Sequence, residues 1–312
     1  MSVTTTTRYG GSTRTFLGIP KMYVRENFEG WLFILPAVIG VLTFSLFPVV
    51  YSLYGSMTKW DAVNLPQWVG IENYVTMFTR DKLFWKVFGN TLYYAFGSIP
   101  PRIVLGLALA LLVNQKLRGV TWYRTAYFAP VVTNIIAIGI VFAWIYAPDY
   151  GLLNVALNAA FGVKGPSWLS DAVWAMPAVI MVETWHQAGY TMVLFLAGLQ
   201  GIPDVYYEAA MIDGASKWDR FRNITLPLLS PTTFFILIMA FINSFQVFGL
   251  IYIMTAGGPA NATNVYIYYL YQNAFQYSKM GYAAAMAWVL FAVIGVVTFL
   301  QWRMQRLWVF YS

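Results

Sequence analysis

The chain has 312 residues, of which 59% are hydrophobic, 19% aromatic and only 10% charged, with a formal charge of +7. That composition excludes a soluble globular domain and predicts an all-α integral membrane protein in contact with a lipid bilayer. There is no cysteine and a single histidine, which removes disulfides, iron–sulfur clusters, thiolate metal sites and multi-histidine metal centres. The Lys and Arg residues are scattered at helix ends rather than gathered on one face, so the positive balance reads as membrane topology and not as a nucleic-acid surface.

Residues 1–28 are polar and threonine-rich, with Arg8, Arg14, Lys21 and Arg25, and predict an N-terminal cytoplasmic segment. From about residue 30 the chain alternates apolar runs with polar breaks. At about 20 residues per crossing, six spans are expected near 30–54, 88–113, 125–147, 173–200, 226–254 and 281–302. These make one transmembrane domain over 29–302 and a cytoplasmic tail over 303–312. The first run is uncharged for longer than a signal-peptide core and no small-residue cleavage pattern follows it, so it reads as a retained helix. The loop 57–87 holds the amphipathic segments GIENYVTMF and LFWKVFGNTL, expected at the bilayer surface. The second span contains Pro100-Pro101-Arg102, where the prolines predict a kink and the arginine needs a partner. Pairing with Glu183, contact with an anionic solute and a position nearer the interface are the three readings, the first being the one that costs least.

The fourth span carries Glu183, His186, Gln187 and Tyr190, spaced so that a helix puts them on one face. The fifth adds Asn243, Ser244 and Gln246. Ionisable and amide groups in hydrocarbon are expensive, and usually face a polar cavity. Together these would supply the carboxylate, amide, hydroxyl and aromatic groups that a neutral polyhydroxylated solute requires. The competing readings are interhelical hydrogen bonding and an E-x-x-H metal pair over Glu183 and His186. A metal pair would need a second histidine-bearing motif, so no metal site is expected. An intramembrane enzyme built on Glu183 and His186 has no nucleophile or oxyanion feature behind it, and no catalytic residue is assigned.

Between the fourth and fifth spans lies a polar island. Seven of the nineteen residues from Asp204 to Arg222 are charged. Its grammar predicts two short helices. Asp204 would cap the first, Gly214 supplies the positive φ that ends it, Ser216 and Asp219 form a capping box for the second, and Pro227 opens the apolar helix that follows. Beyond the fifth span, Gly257-Gly258-Pro259 breaks the chain, and 265–277, rich in Tyr, Gln and Asn, reads as an extracytoplasmic or re-entrant segment. With both termini cytoplasmic, twelve basic residues fall inside and six outside, which places the island in the cytoplasm. No Walker A pattern is present, so any ATP hydrolysis would occur in another chain.

The island resembles the EAA loop of ABC-importer permease subunits, through Glu208-Ala209-Ala210, Asp213-Gly214 and Ile224-Thr225-Leu226-Pro227 within 203–231. The segments AGLQGIP before it, ITLPLLSP within it and MTAGGPANAT after it, with LPAVIG and FPVVYS in the first span, are similar to the carbohydrate branch of that family, which takes up oligosaccharides and glycerol phosphates. The resemblance implies that Glu208, Ala209, Ala210, Asp213, Gly214, Ile224 and Pro227 couple the chain to an ATPase. It implies a second homologous permease, two ATPase subunits holding ATP and magnesium, an extracytoplasmic solute-binding protein and alternating access, in a bacterial or archaeal cytoplasmic membrane. Substrate-lining positions carried over without gaps from Glu208 fall on Glu183, His186, Gln187 and Tyr190, and on Ala240, Ser244 and Val247. A stand-alone ion-coupled transporter using Glu183 is the alternative, although it leaves the capped island without a role.

Overall fold

The computed structural model describes residues 15–16, 19–115 and 118–310. Most of the expected 1–28 segment, and Lys116, lie outside them. The chain divides into two units, residues 1–54 and residues 55–312. In the first, helix α1 (Lys21–Val41) runs through one wide π-helical turn over Leu42–Leu46 into α2 (Phe47–Ser56). The helix thus begins before the predicted residue 30. Phe33 and Phe44 are more than four-fifths exposed, the pattern of a surface that bilayer rather than water covers.

The second unit is helical apart from a two-strand hairpin pairing Thr58–Lys59 with Gln67–Trp68. Helix α3 (Glu72–Thr79) leads into α4 (Lys82–Val113). The latter starts at its cap: Asp81 Oδ1 accepts from the backbone N–H groups of Leu83 and Phe84 at 3.0 and 3.1 Å. LFWKVFGNTL is therefore the first turns of a 32-residue helix rather than a separate surface helix. That helix continues through Pro100 and Pro101 without a break.

Helices α5 (Val120–Val132) and α6 (Ile135–Ile145) form a pair bent by 96°. The corner is built by Pro130 near the end of α5 and by Asn134, whose Oδ1 caps α6 at Ile136 N. After α7 (Leu152–Phe161) comes α8 (Ala175–Gln200), which packs most extensively on α4. Two glycines allow the approach: a Cβ on Gly97 would press on Ile180 at 2.7 Å, and one on Gly106 would overlap Thr191.

The island then supplies α9 (Asp204–Ile212) and α10 (Lys217–Arg220), with a wide turn over Phe221–Thr225 and α11 (Leu226–Leu228). Helix α12 (Ser230–Phe245) leaves this segment at a 60° bend and stops at Phe245; α13 (Gly249–Met254) resumes after a non-helical break. The predicted fifth span, 226–254, is thus three helices, α11, α12 and α13, and not one. The Thr255–Asn264 loop is latched to the start of α4 by Lys86 Nζ, which donates to the Ala260 carbonyl at 2.7 Å, and by Asn90 Nδ2, which donates to those of Asn261 and Asn264. Helix α14 (Tyr266–Tyr271) and a wide turn over Gln272–Gln276 follow, too short together to cross a bilayer. The chain closes on α15 (Met280–Met304).

Among the described residues three helices are long and apolar enough to cross a membrane, Glu29–Ser56, Lys82–Val113 and Met280–Leu307, or up to five if each bent pair is one span. Helix α8 has the length but not the apolarity, because the polar face centred on Glu183 lies in its middle.

Candidate functional site

A cavity of about 360 Å³ opens where α8 passes the break between α12 and α13. Glu183, His186 and Gln187 line it from α8, and Asn243 and Gln246 from the end of α12 and the break itself. Val247, Phe248, Gly249 and Leu250 continue its wall, and Ile135 at the start of α6 closes another side. Five of the seven residues expected to meet a solute are therefore brought together. Tyr190 and Ser244 are not: Tyr190 lies one turn further along α8, and Ser244 is buried beside the cavity without lining it. Val247 lines the site as carried over, whereas Ala240 is fully buried in the core.

The local chain explains the convergence. Glu183 and Gln187 are one turn apart and share a face. Gln246 lies in the break, where an unwound stretch needs polar surroundings because its main-chain groups have lost their helical partners. Both ring nitrogens of His186 are buried and hydrogen-bond to nothing, and the Thr184 hydroxyl is also unpartnered.

Arg102 lies behind this wall. It is 3% exposed and does not line the cavity. Its Nε donates to Thr191 Oγ1 at 2.9 Å, and its Nη2 has no partner. The expected ion pair with Glu183 is not formed: no nitrogen–oxygen approach within 4.0 Å links them. The hydrogen bond to Thr191, two turns further along α8, holds the guanidinium away from that carboxylate. Tyr94, fully buried on α4, stands with its hydroxyl beside Glu183.

A second cavity, about 1100 Å³, lies among the 59–81 segment, α14 and the start of α15. Its central carboxylate is already engaged: Asp81 Oδ2 accepts from the Tyr269 and Tyr282 hydroxyls at 2.7 and 2.6 Å. The smaller cavity is the one lined by the polar residues of α8 and of the α12–α13 break.

The island folds as two capped helices. Gly214 has φ +76° and ends α9, its N–H donating to the Met211 carbonyl. Ser216 and Asp219 make the reciprocal capping box, and the Ser216 hydroxyl and N–H hold the Asp219 carboxyl below the usual carboxylate range. Asp204 does not cap α9. The extended Pro203 occupies the cap position and Asp204 is the first helical residue, where its charge meets the positive end of the helix instead. The Tyr207 hydroxyl and Thr225 Oγ1, 3.0 Å apart, tie α9 to the wide turn.

Glu208, Ala209, Asp213 and Gly214 are exposed, while Ala210, Ile224 and Pro227 are half-buried. Around them Ile212 is 87% exposed and Trp218 65%.

Sequence reasoning missed Tyr94, Thr191 and Phe248. Tyr94 and Thr191 sit in apolar runs with no distinguishing spacing. Phe248 was hidden by reading 226–254 as continuous helix, although Gly249 after the polar Gln246 was a usable signal.

Residues 102–307 match the sequence signature described as "Binding-protein-dependent transport system inner membrane component". The chain is 37% identical to the probable ABC transporter permease protein YesP of Bacillus subtilis (strain 168), over 92% of this chain and 94% of that protein. It is 35% identical to the lactose transport system permease protein LacF of Rhizobium radiobacter, over 92% and 96%. The crystal structure of a bacterial alginate ABC transporter in complex with an alginate pentasaccharide-bound periplasmic protein contains a chain of the same fold. That chain has a TM-score of 0.80 and 23% identity, over 91% of this chain and 96% of that one. The chain therefore belongs to the binding-protein-dependent transport system inner membrane components, the permease subunits of ABC importers.

Proposed function

We propose that this permease subunit carries a sugar or sugar-like solute into the cytoplasm by alternating access, with the cavity between α8 and the α12–α13 break as the solute site. The observation that carries the reading is the convergence of Glu183, His186, Gln187, Asn243 and Gln246 on one cavity. Amide and carboxylate groups gathered on one cavity suit a solute rich in hydroxyls. Relatives named for lactose, trehalose/maltose and multiple-sugar transport support the class. Tyr190 and Ser244 belong to the layer behind the site. Family membership leaves the ion-coupled alternative without support.

In this reading the chain crosses the membrane six times: Glu29–Ser56, α4, the α5–α6 pair, α8, the bent helix through α12, and α15. Both termini and the 203–231 island lie in the cytoplasm. Glu208, Ala209, Ala210, Asp213, Gly214, Ile224 and Pro227 shape the island against an ATPase subunit, and the exposed Ile212 and Trp218 give that contact an apolar centre. A second permease, two ATPase subunits holding ATP and magnesium, and a solute-binding protein complete the importer. No cofactor is held by this chain.

The test is to purify the tagged chain from its native membrane and reconstitute what accompanies it. An ATPase and a second permease at stoichiometric amounts, with ATP-dependent saccharide uptake, are expected. Asn243→Ala and Gln246→Ala should each raise KM roughly tenfold, the loss of about one hydrogen bond to solute, at unchanged assembly. A chain that runs alone and transports without ATP would overturn the reading.

A further inference from the structure

Buried polar atoms on α4 and α8 are left unsatisfied, among them Arg102 Nη2 and the Thr184 hydroxyl. Buried polar groups are rarely orphaned, and each exception asks for a reason. The most costly is Arg102. Its guanidinium never gives up its proton, so a permanent positive charge sits 3% exposed in a membrane-embedded pair of helices. Such a charge persists only when an opposite one compensates it. Glu183 is the one carboxylate on the two packed helices α4 and α8. The two do not touch. Glu183, Gln187 and Thr191 are successive one-turn steps along α8, and Arg102 is hydrogen-bonded to the last of them. Gly106, one turn beyond Arg102 on α4, lets the helices approach closely enough for this, since any side chain there would overlap Thr191.

The arrangement is asymmetric. The cation is sealed behind the wall by Thr191, and the anion lines the cavity. No Lys or Arg lines the cavity. We infer that Arg102 is the sealed counter-charge of Glu183, so that the cavity presents a fixed negative charge and takes uncharged saccharides in preference to acidic ones. This rests on the cavity being the solute site. Arg102 is a positioning and specificity residue that never meets the solute: it keeps Glu183 as an acceptor for solute hydroxyls, and Glu183 repels a carboxylate that would approach the same wall.

The inference is tested on the importer assembled with its partner subunits. Binding of lactose and maltose, and of their aldonates lactobionate and maltobionate, is measured on the purified complex without a solute-binding protein. ATP-driven uptake is then measured in vesicles. The neutral sugars should bind at least about tenfold more tightly than the aldonates, and Glu183→Gln should close that gap. Arg102→Met should lower uptake at least about tenfold, and the double variant Arg102→Met with Glu183→Gln should regain most of it, because no uncompensated charge remains. If Arg102→Met fails to reach the membrane, Arg102→Lys, which keeps the charge, should retain the preference for neutral sugars. Equal binding of aldonates and neutral sugars by the unaltered importer overturns the inference. So does a double variant no better than Arg102→Met, or an Arg102→Lys variant that loses the preference. An assembled, ATP-hydrolysing importer that binds and moves neither class would instead overturn the saccharide reading, and this inference with it.

Discussion

The Ser216 hydroxyl lies 2.5 Å from the Asp219 carboxylate, and the backbone N–H of each residue donates to the side chain of the other. One exposed pair thus fixes the start of α10 and the direction in which the chain leaves Gly214. Because the Asp219 carboxyl is held below its ordinary range by these donors, its contribution is present above the unfolded carboxylate pKa. It is lost as pH falls through the depressed folded value. Amide-exchange protection over Lys217–Arg220, measured relative to the intrinsic rate at each pH, should therefore fall on acidification below the usual carboxylate range. Ser216→Ala should lower it at neutral pH and remove most of the acid dependence. An unchanged acid dependence in that variant would show that another group stabilises this turn.

Gly214 stands at φ +76° with nothing within 4 Å of where a side chain would begin, so the cost of replacing it is conformational and not steric. A β-branched residue there carries about 1–2 kcal/mol of left-handed strain, whereas asparagine tolerates the region. Gly214→Val should abolish uptake while membrane insertion stays normal, and Gly214→Asn should retain most of it. Uptake assays beside membrane yields separate the two, and full activity in the valine variant would remove Gly214 from coupling.

Asp81 joins three elements, capping α4 and accepting from Tyr269 and Tyr282. Asp81→Ala removes the cap and leaves two tyrosine hydroxyls without their acceptor, a loss of about 2–4 kcal/mol. Tyr282→Phe, which removes one donor, should cost about 1 kcal/mol. Thermal inactivation in detergent should rank the alanine variant well below the phenylalanine one, and equal midpoints would show that solvent replaces these bonds.

Gly106 governs the approach of α4 to α8. Gly106→Val should destabilise the protein by about 1–3 kcal/mol through overpacking. It should also push Thr191 off Arg102, so that uptake falls along with stability. Gly89, with open space around it, is the control: Gly89→Ala should leave uptake within error and stability unchanged or slightly higher.

Much of this was legible in the chain. The capping box at Ser216 and Asp219 and the positive φ at Gly214 were readable because local hydrogen bonding and backbone sterics decide them within four residues. The joint site of Glu183, His186 and Gln187 with Asn243 and Gln246 was readable because polar groups in apolar helices have few places to go. Where reading failed, the deciding contact was distant. Asp204 has the chemistry of a cap, but the extended Pro203 sets the helix start one residue earlier. The Arg102–Glu183 pair was expected from charge alone, whereas the close packing at Gly106 delivers Arg102 to Thr191. The double proline does not break the helix: α4 is continuous through it.

Two interruptions of helix, at Thr133–Asn134 and at Gln246–Phe248, abut the same cavity, one through Ile135 and the other through the break itself. Each interruption leaves main-chain carbonyls without intrahelical partners, and at membrane depth such backbone is tolerated where protein or a polar cavity covers it. If the proposed solute site is correct, a polyhydroxylated molecule there meets main-chain as well as side-chain acceptors. Side-chain substitutions around this rim would then change which molecule is held and leave the backbone acceptors in place.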